Sequence, residues 1–108
     1  SLARKMYEQG DIPDGIVCCN NRTTLGFLRA TRERNMKLGR EIAFVGIDHV
    51  DVLDIIDYKY SYVSRDTIEM GRIAMELLID RIQNPQKYYT VKIVPYELIL
   101  KGAEKKIR

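Results

Sequence analysis

Tryptophan is absent from this 108-residue sequence, histidine occurs once and cysteine twice. The cysteines are neighbours, Cys18 and Cys19, with no Cys-x-x-Cys spacing, and the lone His49 is far from both. Adjacent side chains on a strand point to opposite faces, so a bridge between the two would be strained. Both therefore read as buried small apolar residues in a reducing compartment, and zinc binding and thiol catalysis are not expected. Long apolar runs are also missing. The longest, such as Ile16-Val17-Cys18-Cys19 and Leu77-Leu78-Ile79, fall far short of the roughly 20 residues a membrane-spanning helix needs. No basic stretch followed by an apolar run and a small-residue cleavage site opens the sequence. It starts at Ser1 rather than Met, as expected for a domain cut from a longer or processed protein. Catalytic signatures are lacking as well: there is no Gly-x-Ser-x-Gly, no phosphate-cradling glycine loop and no His-Glu-x-x-His. An enzyme is not expected, and no cofactor is implied.

What is present is ordinary for a folded α/β domain. Apolar residues make up 45% and charged residues 31%, and the length suits one small domain with one core. The net charge of +3 is too small to argue for nucleic-acid binding. The charges are nonetheless clustered. Arg22, Arg29, Arg32, Arg34, Lys37 and Arg40 crowd one segment and Asp48, Asp51, Asp54 and Asp57 the next, which reads as a solvated helix face followed by a polar loop. The aspartates lack the alternating ligands and central glycine of a calcium loop, so no metal site is expected.

Hydrophobic periodicity predicts the elements. Leu2 to Gln9 reads as a helix closed by Gly10. The apolar run Gly15 to Cys19 predicts a strand buried on both faces. Asn20-Asn21 offers a cap for a helix reaching about Met36, and Ile42 to Gly46 predicts a second strand. Strand, helix, strand at this spacing is a βαβ unit with parallel strands. One helical turn is expected around Val52 to Ile56 and a short strand at Tyr60 to Val63. Asp66 with Glu69 forms a capping arrangement for a helix whose face is Met70, Ile73, Ala74, Leu77 and Ile82, ended by Asn84-Pro85. Thr90 to Val94 and Glu97 to Lys101 read as strands separated by Pro95. The fold class is α/β, a parallel sheet flanked by helices.

Ligands of open α/β sheets bind beyond the carboxyl ends of the strands. Asn20-Asn21 and Asp48-His49 sit at two such ends. An amide both donates and accepts, and a carboxylate accepts two bonds at once, a combination suited to a neutral polyhydroxylated ligand. The plainer alternative is that Asn20 caps a helix and Asp48 hydrates a loop. His49 is expected to be an exposed loop residue, because neighbours such as Asp48 and His49 rarely point at each other.

Four stretches in order complete the picture. Pro13-Asp14-Gly15-Ile16-Val17 with Cys19-Asn20-Asn21-Arg22-Thr23-Thr24-Leu25-Gly26 resembles the "pDAI-aND-xxAlG" pattern of lactose/galactose-repressor (LacI/GalR) effector domains. Ile42 to His49 resembles their "isVvGfDd", Met70-Gly71-Arg72-Ile73-Ala74 with Leu77-Leu78 their "mGxxAxxxLl", and Pro95 to Gly102 their closing "lPxeLvvRxS". The resemblance covers nearly the whole chain. Asn21 and His49 stand where that family usually has Asp, Lys59 to Val63 replaces "pPLTTV", and Lys101 replaces the closing Arg.

This resemblance implies a partial type I periplasmic-binding-protein-like fold. The chain, residues 1–108, would be the C-terminal portion of an effector-binding domain, with the helix-turn-helix and the first subdomain outside it. It implies that Asn20 and Asp48 hydrogen-bond a small effector, often a sugar, with Asn21 and His49 nearby. The implied parent is a cytoplasmic, dimeric transcription regulator that reaches operator DNA through the helix-turn-helix and has no membrane contact. The alternative is a periplasmic or surface sugar-binding protein of a transporter. The Asp66 to Gln83 helix would lack the partner that the first subdomain supplies, so the chain is expected to dimerise or to fold that helix back on its own sheet.

Overall fold

A computed structural model describes residues 2–106. Within them the chain divides into two units: the first runs to Ser64 and resumes at Leu98, and the second is Arg65–Glu97.

The first unit begins with α1 (Leu2–Glu8), closed by Gly10 at φ +71°. After the Asp11 to Asp14 turn comes β1 (Gly15–Cys18), then α2 (Asn21–Glu33) and β2 (Ala43–Ile47). α2 ends at Glu33, three residues before the expected Met36: Asn35 takes the left-handed conformation, φ +55°, and its N–H bonds back to the Arg32 carbonyl at 3.0 Å. Asparagine tolerates that region, so it closes the helix as glycine would. A single turn, α3 (Val52–Ile55), leads to β3 (Ser61–Arg65). The sheet order is β1-β2-β3-β4, with β4 at Tyr96–Ile99. β1 pairs parallel with β2, and β2 parallel with β3, in the registers Cys18↔Gly46 and Gly46↔Tyr62. This is the predicted βαβ arrangement.

Helix α2 packs on β1, β2 and α1. Its inner face is Thr24, Phe27, Leu28, Ala30 and Thr31, and its arginines lie on the outer side. An aromatic series threads the core: Tyr7 to Phe27 at 6.3 Å, Phe27 stacked on Phe44 at 5.2 Å, and Phe44 edge-on to Tyr60 at 5.9 Å. Thr31 is fully buried yet satisfied, since its hydroxyl donates to the Phe27 carbonyl at 2.8 Å and meets the Tyr7 hydroxyl at 2.6 Å. Burying a phenylalanine such as Phe44, which has no exposed surface, contributes about 1.5–3 kcal/mol. Ala103 belongs to the same core, and the Ser61 hydroxyl donates to the Glu104 carboxylate while accepting the Lys101 N–H at 3.0 Å.

Two expectations about this unit need correction. β1 is not buried on both faces, because Val17 is 65% exposed while Cys18 is buried; the strand alternates, with one face on the core and the other open. Of the cysteines, both free, only Cys18 is buried, and Cys19 is exposed. The run of four apolar residues concealed a two-residue period.

The second unit is built on α4 (Thr67–Gln83). Asp66 caps it, accepting the Glu69 N–H at 2.9 Å. The reciprocal half of the capping arrangement is not made, since the Glu69 carboxylate turns to Arg72 instead, 2.8 Å from Nε. No residue of α4 is buried, and Ile68, Met75, Leu78, Ile79 and Ile82 are each about half exposed or more. Of the expected face, Met70, Ile73 and Leu77 are half-buried, and Ala74 and Ile82 are exposed. Thr90 to Val94 forms no strand; Val91 and Ile93 are exposed, because β propensity alone supplies no pairing partner.

Candidate functional site

The register of β1 and β2 determines where the candidate residues fall. Cys18 lies opposite Gly46, so Asn20 and Asp48 each follow their paired residue by two positions, at the carboxyl ends of neighbouring parallel strands about 4.8 Å apart. Asn20 is extended (φ −151°) and caps α2, its Oδ1 accepting the Thr23 N–H at 2.9 Å. The Thr23 hydroxyl also lies 3.0 Å from the Asn20 carbonyl. The capping role foreseen as the plainer alternative is thus real. It occupies the amide oxygen, while the NH2 group and its two donors take no part in it. Asn21 is the first residue of α2 and is exposed.

Asp48 has φ +68°. Left-handed backbone is uncommon for a residue with a side chain, tolerated best by Asn and Asp, and concentrated at functional turns. The conformation is held at the Asp48 N–H and, two residues on, at the Val50 N–H. The Asp48 N–H donates to the Val63 carbonyl at 2.8 Å, and the Tyr60 hydroxyl lies 3.4 Å from the Asp48 carbonyl while accepting the Val50 N–H at 2.6 Å. Tyr60 is 1% exposed, and burial pushes its hydroxyl pKa up, opposed by the Val50 hydrogen bond. Gly46, two residues earlier, leaves room for this ring: a Cβ there would stand 3.1 Å from Tyr60 Cε2.

His49 is not a free loop side chain. Its ring packs beside two tyrosines that also touch each other, 5.9 Å from Tyr60 and 4.8 Å from Tyr62. Its Nε2 is 2.9 Å from Asp54 Oδ2 and 3.9 Å from Asp51 Oδ1, so its partner is Asp54 and not the adjacent Asp48. His49, Asp54, Tyr62, Lys59 and Lys101 line an open cleft of about 430 Å³ whose lining includes neither Asn20 nor Asp48. Sequence reasoning missed this side of the strand end. The available signal was the two-residue spacing of Tyr58, Tyr60 and Tyr62, which puts Tyr60, just before β3, on the same side as Tyr62 within it.

Residues 1–103 match the family model of a periplasmic binding protein-like domain. The chain belongs to this family. Among curated proteins, the periplasmic binding protein-like domain is 20% identical to the ribose operon repressor of Haemophilus influenzae over 91% of the chain and 30% of that protein. It is 25% identical to the transcriptional repressor CytR of Escherichia coli over 84% of the chain and 27% of that protein. Its fold is that of the dimeric Lac repressor lacking 11 C-terminal residues, with a TM-score of 0.75 at 19% identity over 99% of the chain and 39% of that structure. It is also that of a LacI-family regulator from Enterococcus faecium solved with bound ribose, with a TM-score of 0.73 at 22% identity over 98% and 40%. The chain spans about a third of the length of the curated relatives it matches, and these relatives are transcription repressors. The resemblance to LacI/GalR effector domains, first carried by four short motifs, holds across the chain. No helix among the described residues is long and apolar enough to cross a membrane.

Proposed function

We propose that this periplasmic binding protein-like domain is the C-terminal, effector-sensing part of a cytoplasmic, dimeric transcription regulator. Its effector is small and sugar-like, and operator DNA is bound by a helix-turn-helix outside residues 1–108. The observation that carries the reading is the placement of Asn20 and Asp48 at register-matched ends of β1 and β2, with Asp48 pinned in a left-handed backbone. Asp48 offers carboxylate oxygens to ligand hydroxyls, and Asn20 offers the amide donors its cap leaves over. Asn21 and His49 flank these two in sequence.

Half of the pocket comes from the first subdomain of the parent. An effector that prefers one arrangement of the two subdomains then shifts the population, and with it the affinity for operator. No bond is made or broken. The transporter-linked alternative shares the fold, but the relatives named above are repressors, which favours the regulator.

The test is Asp48→Ala in the full-length regulator, with operator binding measured with and without effector, ribose being the first ligand to try. The expected result is loss of the effector response with operator binding in its absence unchanged. An unaltered response removes Asp48 from the pocket.

A further inference from the structure

We propose that His49, Asp51 and Asp54 form a binding site for a divalent transition-metal ion, with Zn2+ as the probe. The site does not depend on the effector reading, since neither Asn20 nor Asp48 takes part.

The three side chains each bring one ligand atom to within 4.8 Å of the others. Two donors on a tetrahedral ion at about 2.0–2.1 Å lie roughly 3.3 Å apart. The distances from His49 Nε2 bracket that value, 2.9 Å to Asp54 Oδ2 and 3.9 Å to Asp51 Oδ1. Closing on an ion therefore requires small shifts at the imidazole and a rotation of the two carboxylates towards each other from a spacing of up to 4.8 Å, which their 97% and 70% exposure permits. One imidazole and two carboxylates form a mixed nitrogen–oxygen set suited to Zn2+ and its neighbours rather than to Ca2+, which takes oxygen ligands alone. Water fills the remaining positions.

Structure around the donors supports the assignment. Stacking on Tyr60 and a tilted contact with Tyr62 orient the histidine ring from one side, and the Val50 N–H bond to the Tyr60 hydroxyl ties the start of the loop to the core. Asp51 stands at the N-cap of α3 yet makes no capping hydrogen bond, so its carboxylate has no local structural task. Its three-residue offset from Asp54 keeps the two acids on one side of the turn. His49 and Asp54 both line the open cleft, through which an ion can enter. An ordinary histidine–aspartate ion pair would account for Asp54 but would leave Asp51 without a role.

The affinity follows from the outer shell. An ion on Nε2 sends the ring proton to Nδ1, which is buried and has no hydrogen-bond partner. Metal-bound histidines normally donate through that second nitrogen, and loss of the partner costs about 10–100-fold in affinity. Binding is accordingly expected in the micromolar range. The cleft also carries Lys59 and Lys101; Lys59 Nζ lies 4.0 Å from Asp57, and that pairing reduces its repulsion of a cation.

The experiment is calorimetric titration of the chelator-treated chain with Zn2+ at pH 7. One ion should bind per chain. Asp51→Asn, at an exposed side chain that makes no capping hydrogen bond, should weaken binding about 10-fold or more. His49→Gln should abolish it, and Cys19→Ser should leave it unchanged. No binding up to millimolar Zn2+, wild-type affinity in Asp51→Asn, or loss of binding in Cys19→Ser would each overturn the assignment.

Discussion

Replacing Tyr60 by phenylalanine removes a single oxygen atom from the centre of the first unit. The ring is 1% exposed, so the substitution keeps the aromatic contacts with Phe44, His49 and Tyr62. What disappears is the acceptor for the Val50 N–H at 2.6 Å, together with the long 3.4 Å approach to the Asp48 carbonyl. The second is at the limit of a useful hydrogen bond and contributes little. The first is decisive, because Val50 is itself only 6% exposed, and a buried N–H stripped of its acceptor costs about 1–3 kcal/mol. For a unit of this size that corresponds to a fall in melting temperature of about 4–8 °C per kcal/mol. Urea unfolding followed by circular dichroism, at matched m-values, measures the difference. The same variant should raise amide exchange at Val50 before it does so in β1. A loss below about 0.5 kcal/mol, the ordinary scatter of surface substitutions, would refute the claim that this hydroxyl anchors the Asp48 turn.

Gly39→Ala should destabilise severely. Gly39 has φ +78°, and a Cβ there would stand 2.1 Å from the Gly102 carbonyl oxygen, a backbone atom with little room to retreat; a thermal melt unchanged from wild type would contradict the packing of that turn. Alkaline pH should unfold the first unit. Burial raises the pKa values of Tyr7, Tyr58 and Tyr60, so above about pH 10 the unfolded chain ionises these groups while the folded one holds them neutral. Fewer protons are then bound in the unfolded state, and stability falls as pH rises towards the folded-state values. A pH series of urea midpoints checks this, and a flat profile between pH 9 and about 11 would count against it.

The parts of the fold that were legible in the sequence are those decided locally. Gly10 and Asn20 mark a helix end and a helix start whatever lies around them, and two short apolar runs bracketing a helical period leave little choice but βαβ. The cap at Asp66 was readable for the same reason. Errors arose where a distant partner decides the outcome. Thr90 to Val94 has the composition of a strand, but a strand exists only through the hydrogen bonds of a neighbour, and none is offered. The α4 stripe was correctly periodic, yet periodicity identifies a face without saying what covers it. At the strand ends, register fixed the positions of Asn20 and Asp48, which chain order and spacing already implied. The pairing of His49 with Asp54 needed the turn of α3 to bring residues five apart together.

The return of the chain after its second unit has a consequence for biosynthesis. Ser61 is held by Glu104, 43 residues further on, and Ala103 fills part of the same apolar core. A ribosome translating this message will have delivered β1, β2 and β3 long before it supplies the segment that completes their packing. Until then Ser61 lacks its carboxylate partner and the core lacks the methyl of Ala103. The first unit is thus obliged to wait, partly assembled, while the whole excursion of Arg65–Glu97 is made. Its final locking is a late event in synthesis, whatever the intrinsic speed of its βαβ start.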